Sequence, residues 1–594
     1  MTYRAPVADI AFALRHSAGF SAALGEGLFG ELSEEAVEAV LAEAGRFAAD
    51  IIAPLNAQGD RAGTLFKDGA VTMPPGWKEA YRAWTEAGWN ALAAPAQWGG
   101  QELPHAVNAA CIEMWSSAAM AFGLGPFLTM AGVDALIAHG SDELKRTYLP
   151  KLVSGEWMGT MQLTEPEAGS DVGALRTRAE RAPDGSYRIR GQKIFITYGE
   201  HDLTDNIIHF LLARLPDAPA GTRGVSLFLV PKFLLNPDGS PRRRNDVRAH
   251  SIEHKLGIHA SPTCTMVYGD GGGATGFLIG EENRGMACMF TMMNRARLGV
   301  ALQGVAIAER ATQQALAYAH ERKQGRAPGA SEPSAIIAHP DVKRMLLSMR
   351  ALTRAARAIS YATAVALDRA ERDEDGPARQ AAHERASLLT PVVKAFATDI
   401  GCEVASLGVQ VHGGMGYIEE TGAAQHFRDA RIAPIYEGTN GIQAVDLVTR
   451  KLPIGDGTAV RLYIGGIRRT VAAVDAVNDP AYGWTGVRLR DAVDSLERAT
   501  GWLLARLRDD PGAALAGATP YLRLFALAAG GALLAEEALA ASRLAANGGE
   551  EAGRIALARF FAENFAVSAG ALERTVVEGA DSVTGAEAAL EQTA

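Results

Sequence analysis

Cysteine is nearly absent. The 594 residues hold four, Cys111, Cys264, Cys288 and Cys402, scattered and without metal-ligand or redox spacing. That excludes a disulfide scaffold and a cysteine-rich zinc module, and a reducing, cytoplasmic compartment is expected. Positive charge is in deficit: the net charge is −10, which repels nucleic acid and anionic membranes alike. Residues 1–6 lack the basic-then-apolar order of a secretory signal. The longest apolar run near the C-terminus, Leu524 to Ala535, has 12 residues, too few to span a bilayer, so no membrane insertion is expected. No metal site is expected from the 13 histidines.

What remains is ordinary soluble composition, 48% hydrophobic and 21% charged, in a chain too long for one core. Five segments are expected. Residues 1–34 are an extension without strong periodicity. Residues 35–157 are alanine-rich and helical. Ser33 can cap a first helix over residues 33–51, with Glu34 and Glu35 at the positive end of its dipole. Val37, Val40, Leu41, Ala44, Phe47, Ala48 and Ile51 share its apolar face, and Pro54 ends it. Residues 158–280 carry short β-branched runs between turns: Tyr187 to Arg190, Ile194 to Thr197, Ile207 to Ala213 and Val225 to Val230. Helical periodicity returns over residues 281–452, through Leu298, Ala301, Leu302, Val305 and Ala308, and again through Val392, Val393, Phe396 and Ala397. Residues 453–594 form a further alanine-rich helical segment with 13 arginines, no lysine and 18 acids, a net −5. No solenoid repeat is present. The class is mostly α with a central β domain.

Three separated motifs carry chemistry. The first is Leu163-Thr164-Glu165-Pro166-Glu167-Ala168-Gly169-Ser170-Asp171. The second is the glycine-rich Gln410-Val411-His412-Gly413-Gly414-Met415-Gly416. The third is Pro434-Ile435-Tyr436-Glu437-Gly438-Thr439-Asn440-Gly441, with one carboxylate on a loop before a helix. In this order, over residues 35–450, they resemble the acyl-CoA dehydrogenases, flavoenzymes that desaturate acyl thioesters. The resemblance implies a helical domain, a β-barrel and a four-helix bundle, here with an appended helical domain as in the long bacterial subgroup. It implies FAD as cofactor, because no side chain accepts a hydride. It also implies an acyl-CoA substrate, electron-transfer flavoprotein as the electron acceptor, and a homodimer or dimer of dimers.

Roles then follow by position. Glu437 is the expected base, its pKa raised by an apolar surround toward neutrality, where a base works best. Its backbone amide, with Gly438 beside it, would face the thioester oxygen. One branch of the family carries its base just before the arginine that here is Arg297, but that position is Ala296, which cannot serve. Leu163, Thr164, Gly169 and Ser170 would lie along the flavin and, for Ser170, the CoA chain. Phe195 would cover the flavin and Thr197 would bond its N5. Arg322, Gln410, Gly413 and Gly414 would reach the pyrophosphate half of FAD across a subunit boundary. Thr439 and Gly441 complete the cofactor set, and Arg297 is the expected CoA-site arginine. Read without the resemblance, Glu437 is also a solvated loop glutamate, Phe195 a buried core residue and the Gly413 turn a simple turn. Gln162 and Gln425 depart from the family pattern. Two other readings stay open: an acyl-CoA oxidase, and a non-catalytic DNA-associated flavoprotein, which the −5 segment disfavours.

Overall fold

The computed structural model describes residues 3–544 and 550–591. The N-terminal extension is helical rather than irregular. Ile10, Ala13 and Leu14 bury one face of α1 (Val7–His16), a stripe too short to register as a long period. Ser33 accepts the Ala36 N–H at 3.2 Å and starts α2 (Glu34–Phe47). A π turn over Ala48–Ile52 then adds a residue to the helical repeat. The apolar face rotates with it, so Ile52 is buried and Ile51, expected inside, is 38% exposed. The long α3 (His105–His139) is interrupted at Ala119, whose φ of −157° and ψ of 100° are not helical.

The central domain holds β1 (Met158–Gln162), β2 (Arg178–Arg181), β3 (Tyr187–Thr197), β4 (Ile207–Arg214), β5 (Val225–Pro231), β6 (Val247–Ile252), β7 (Thr263–Tyr268) and β8 (Ala274–Ile279). Pairing runs β6-β7-β3-β8-β5-β4-β1, and β2 joins both β3 and β4. That second junction closes β3, β8, β5, β4 and β2 into a ring, with β7 and β6 extending from β3 and β1 from β4. The expected runs at 187–190 and 194–197 are one continuous strand.

Three long helices form the bundle: α4 (Gly285–Glu321), α5 (Pro340–Arg372) and α6 (Gly376–His412), packed on one another and on α3. The short α7 (Asn440–Asp446) follows. The appended segment begins with α8 (Thr458–Val477), α9 (Thr485–Asp509), α10 (Ala518–Leu544) and α11 (Glu550–Asn564). The Leu524–Ala535 run is the middle of α10, and α10 lies against α5, α6 and α7. Three stretches are long and apolar enough to cross a membrane: His105–His139, Ala518–Leu544 and Ala552–Glu578, with 83%, 94% and 33% of their apolar windows buried inside the protein. The 12-residue run stops at Arg523 and Glu536, but apolar residues continue beyond both and lengthen the apolar stretch of α10.

Charge links these layers. Glu113 of α3 is fully buried and accepts from Arg357 Nε at 2.9 Å and from the Tyr361 hydroxyl at 2.6 Å. Arg357 also reaches Glu309 of α4 at 2.8 Å, so one guanidinium ties three helices. Asp9 of α1 meets Arg354 of α5 at 2.6 Å and Arg554 of α11 at 2.8 Å, riveting the extension to the bundle and the appended domain. Glu113→Ala leaves Arg357 buried with one partner fewer, and breaking a buried pair this way costs about 3–5 kcal/mol. A lowered thermal midpoint in that variant, larger than for exposed Arg46→Ala, is the expected result.

Candidate active site

The Glu437 loop is held from four sides. Asn440 N donates to Pro434 O at 3.0 Å and closes the turn. Thr439 Oγ1 accepts the Ile442 N–H at 3.2 Å and caps α7. The Tyr436 hydroxyl donates to Gln303 of α4. Gln443 Nε2 reaches the carbonyls of Glu437 and Gly438, each at 3.3 Å. These bonds hold Glu437 at φ 56°, a left-handed conformation that costs a non-glycine residue about 1–3 kcal/mol. Gly438 follows at φ 85°, and a Cβ there would come within 2.7 Å of Gln443 Nε2. The left-handed φ favours glycine at 438, and a side chain there would also displace the Gln443 amide from the loop.

Glu437 keeps some accessible surface, yet dense protein surrounds its carboxyl. Burial raises its pKa, opposed first by Arg297 and then by Lys394. Arg297 of α4 is 4% exposed, lies 3.7 Å from Asp446, and leaves its Nε without a partner. Lys394 of α6 is fully buried, and its Nζ donates to Gly438 O at 2.8 Å and to Asn440 Oδ1 at 3.0 Å. Burial depresses its pKa to about 7, with Glu437 pulling it back up. Neither Lys394 nor Gln443 was singled out from sequence. The signal was present: Lys394 is a lone charge within the apolar run Val392-Val393-Lys394-Ala395-Phe396.

A second cluster lies on the barrel. Phe195 has φ 58° and is 60% exposed. It sits in a β-bulge, where Cys264 faces Ile196 but Met266 faces Lys193. The extra residue swings its ring out of the sheet, so Phe195 is not a core residue. The preceding loop is pinned by Glu165, which accepts from Arg176 N at 2.6 Å, Thr177 N at 3.1 Å and the fully buried Lys193 Nζ at 2.7 Å. Lys193 also donates to Leu163 O at 3.0 Å, and Ile194 N to Thr164 O at 3.0 Å. Gln162 is an internal brace bonded to His209 and Tyr268. Leu163, Thr164 and Thr197 are half-buried, whereas Gly169 and Ser170 are exposed. The kinked middle of α3 connects this cluster to α4: the Tyr198 hydroxyl donates to Ala121 O at 2.7 Å, and the Phe127 ring packs on Gly299.

A third group stands apart. Arg322 is exposed just beyond the C-terminus of α4, 25 residues after Arg297, or about 37 Å along the helix axis. The end of α6 lies beside it, with His412 stacked on Tyr318 at 4.5 Å. Gln410 is in the last helical turn rather than a loop, Gly413 ends the helix at φ 61°, and Gly414 is exposed. Met415, Tyr417, Ile418 and Phe427 are exposed nearby in sequence, Tyr417 at 86%. Gln425 faces inward instead, bonded to Asn56 and Asp429. Gly441 is exposed on the first turn of α7.

The donor set suits a flavin. Among the described residues, the hydroxyls of Thr164, Ser170 and Thr197 have no protein partner, and a Cβ on Gly169 would meet nothing within 4 Å. An exposed aromatic ring beside uncharged hydroxyls fits a planar polar ring system. No grouping of three or more metal-ligating side chains occurs among the described residues.

This helix–barrel–helix arrangement is that of a flavin-dependent acyl-thioester dehydrogenase. The chain belongs to the acyl-CoA dehydrogenase family, whose members use FAD. The family's N-terminal, middle and C-terminal domains match residues 34–156, 160–270 and 283–452, and an "Acetyl-CoA dehydrogenase C-terminal like" domain matches residues 463–587. It is 47% identical over 588 residues to 3-methylmercaptopropionyl-CoA dehydrogenase of Ruegeria pomeroyi, covering 98% of this chain and 99% of that one. It is 34% identical to the broad-specificity linear acyl-CoA dehydrogenase FadE5 of Mycobacterium tuberculosis, over 95% of each. In fold it resembles ACDH-11 of Caenorhabditis elegans, solved with C11-CoA (TM-score 0.79, 20% identity, 97% and 95% covered). It also resembles a Bacillus anthracis acyl-CoA dehydrogenase solved with FAD (TM-score 0.73, 20% identity, 93% and 89% covered).

Glu165→Ala strands the buried Lys193 charge and frees the Thr164–Ser170 loop. Purified variant protein should carry less bound flavin and unfold at lower temperature than the unmodified enzyme. Full flavin content in Glu165→Ala would show that the loop is held by other means.

Proposed function

We propose that the chain removes the α proton and β hydride of an acyl-CoA thioester, with Glu437 as the base. The observation that carries this reading is a carboxylate on a strained loop, enclosed by protein, with its pKa raised. Bound FAD supplies the hydride acceptor. Glu437 takes the proton at its carboxylate, and its backbone N–H is available to the thioester oxygen, a donor typically worth ~3 kcal/mol in a transition state. Arg297 keeps the carboxylate from being neutralised outright by burial and offers its free Nε toward the CoA moiety. Phe195, with Leu163, Thr164, Gly169, Ser170 and Thr197, would line the flavin ring and exclude water from it. Thr439 and Gly441 would border the cofactor from the loop side.

Arg322, Gln410, Gly413 and Gly414 would bind the pyrophosphate half of FAD in a second copy of the chain. The ~37 Å between Arg297 and Arg322 along α4 supports this, as do the exposed Met415, Tyr417 and Ile418. A homodimer, or a dimer of such dimers, follows. Electron-transfer flavoprotein is the proposed oxidant of the reduced enzyme. Cytoplasmic residence is proposed on the four free cysteines. The substrate is a fatty acyl-CoA or 3-methylthiopropanoyl-CoA. A panel of both, assayed with an artificial electron acceptor, decides between them, and fast reoxidation by air would instead indicate an oxidase.

Glu437→Gln preserves size and removes basicity. It should keep bound FAD and lose turnover by ~10²-fold or more, the usual scale for a general base; near-normal turnover would place the base elsewhere. Because the Glu437 pKa is raised, kcat/KM should fall on acidification at a pH above the ordinary glutamate range of about 4.3. Protonation removes the base, so activity is lost on the acid side of that pKa. Light scattering of the FAD-saturated enzyme should give a dimer or larger, and a stable monomer would refute the shared cofactor site.

A further inference from the structure

We propose that Lys394 is a positioning residue for the reaction: it clamps the Gly438 carbonyl and the Asn440 side chain, fixing the backbone of Glu437 and setting a cation beneath the base. The proposal rests on the reading of Glu437 as base.

The geometry is specific. A fully buried ammonium is costly, and few cores retain one without a task. Lys394 spends its donors on the loop and not on a carboxylate: Nζ to Gly438 O at 2.8 Å and to Asn440 Oδ1 at 3.0 Å. Gly438 O belongs to the Gly438–Thr439 peptide, one link beyond the base, so the bond restrains the chain just after Glu437, which stands at φ 56°. Asn440 in turn is oriented from α6, its Nδ2 donating to Asp399 Oδ1 at 2.7 Å, to Thr398 Oγ1 at 3.0 Å and to Ala395 O at 3.2 Å. One face of α6 thus grips the loop at residues 438 and 440 while α4 grips it through Gln303 and Tyr436.

The charges around Lys394 are Glu437 on the loop, Asp399 on its own helix and Arg297 on α4. Burial raises the Asp399 carboxyl, opposed first by its hydrogen bond from Asn440 and then by Arg523 of α10, which also bonds Glu403 at 3.2 Å and covers the Phe396 ring at 5.2 Å. Glu437 is faced by Arg297 and Lys394, and Arg297 by Asp446, Glu437 and Arg450. Removing the Lys394 charge leaves Arg297 as the one cation among these opposing the burial of Glu437. The base then protonates at higher pH.

The test uses the FAD-loaded enzyme and an acyl-CoA it turns over. Lys394→Met should retain flavin, leave KM within about threefold, and lower kcat by roughly tenfold or more, on the scale of general-base effects. The acidic limb of its kcat/KM profile should move to higher pH. Lys394→Gln, which keeps a hydrogen-bond donor without charge, should restore part of kcat and leave the limb displaced. This variant also carries the test if Lys394→Met fails to fold. Binding of the enoyl-CoA product, read from the flavin absorbance, should weaken by less than kcat falls, which separates positioning of the base from loss of the pocket. A folded, flavin-loaded Lys394→Gln with unchanged kcat and an unshifted limb overturns the proposal. If that occurs while Glu437→Gln is inactive, only the role of Lys394 fails. An active Glu437→Gln instead removes the base assignment itself.

Discussion

Keeping a carboxylate usable as a base inside a protein is a problem of balance. Burial alone pushes Glu437 toward its neutral form, which cannot take a proton, and a tight ion pair would hold it ionised but too weak a base. The structure takes neither extreme. Arg297 and Lys394 act on Glu437, yet neither forms a direct ion pair with it, and each is itself depressed by burial. Three groups are thus held away from their ordinary ranges together. Their positions depend on α4 and α6, which carry the two cations, and so on the bundle that packs those helices.

That dependence gives the outlying parts of the chain a purpose. The Glu113–Arg357–Glu309 network fixes α3, α4 and α5 relative to one another. The appended domain lays α10 against α6 and α7, with Arg523 at the turn of α6 beside Asp399. The domain supplies none of the residues assigned here to chemistry, but it backs the helix that carries Lys394. The extension, through Asp9, joins the same construction.

The motifs stand out in the sequence because they carry unusual local backbone. Glu437-Gly438 needs a left-handed pair, and a glycine after a loop carboxylate is visible in sequence. The mostly α class with a central β domain was equally legible, since period-3.6 and β-branched runs alternate in long blocks. Other features were hidden because they arise from tertiary packing. Phe195 on a bulge and a buried phenylalanine have the same sequence pattern, and only the register slip between Cys264 and Met266 distinguishes them. The π turn after Phe47 displaces Ile51 without altering the apparent period. Lys394 and Gln443 lie on helices whose apolar neighbours dominate the pattern, and the loop that their polar ends bond is brought above them only by the fold.

A carboxylate balanced in this way should titrate above the ordinary glutamate range. Infrared difference spectroscopy across pH, comparing the FAD-loaded enzyme with Glu437→Gln, measures this directly through the carboxylic-acid C=O stretch. A protonated-carboxyl band should appear on acidification with a midpoint clearly above about 4.3 and be absent from the variant. A band assigned to Glu437 with its midpoint at or below that value would contradict that balance.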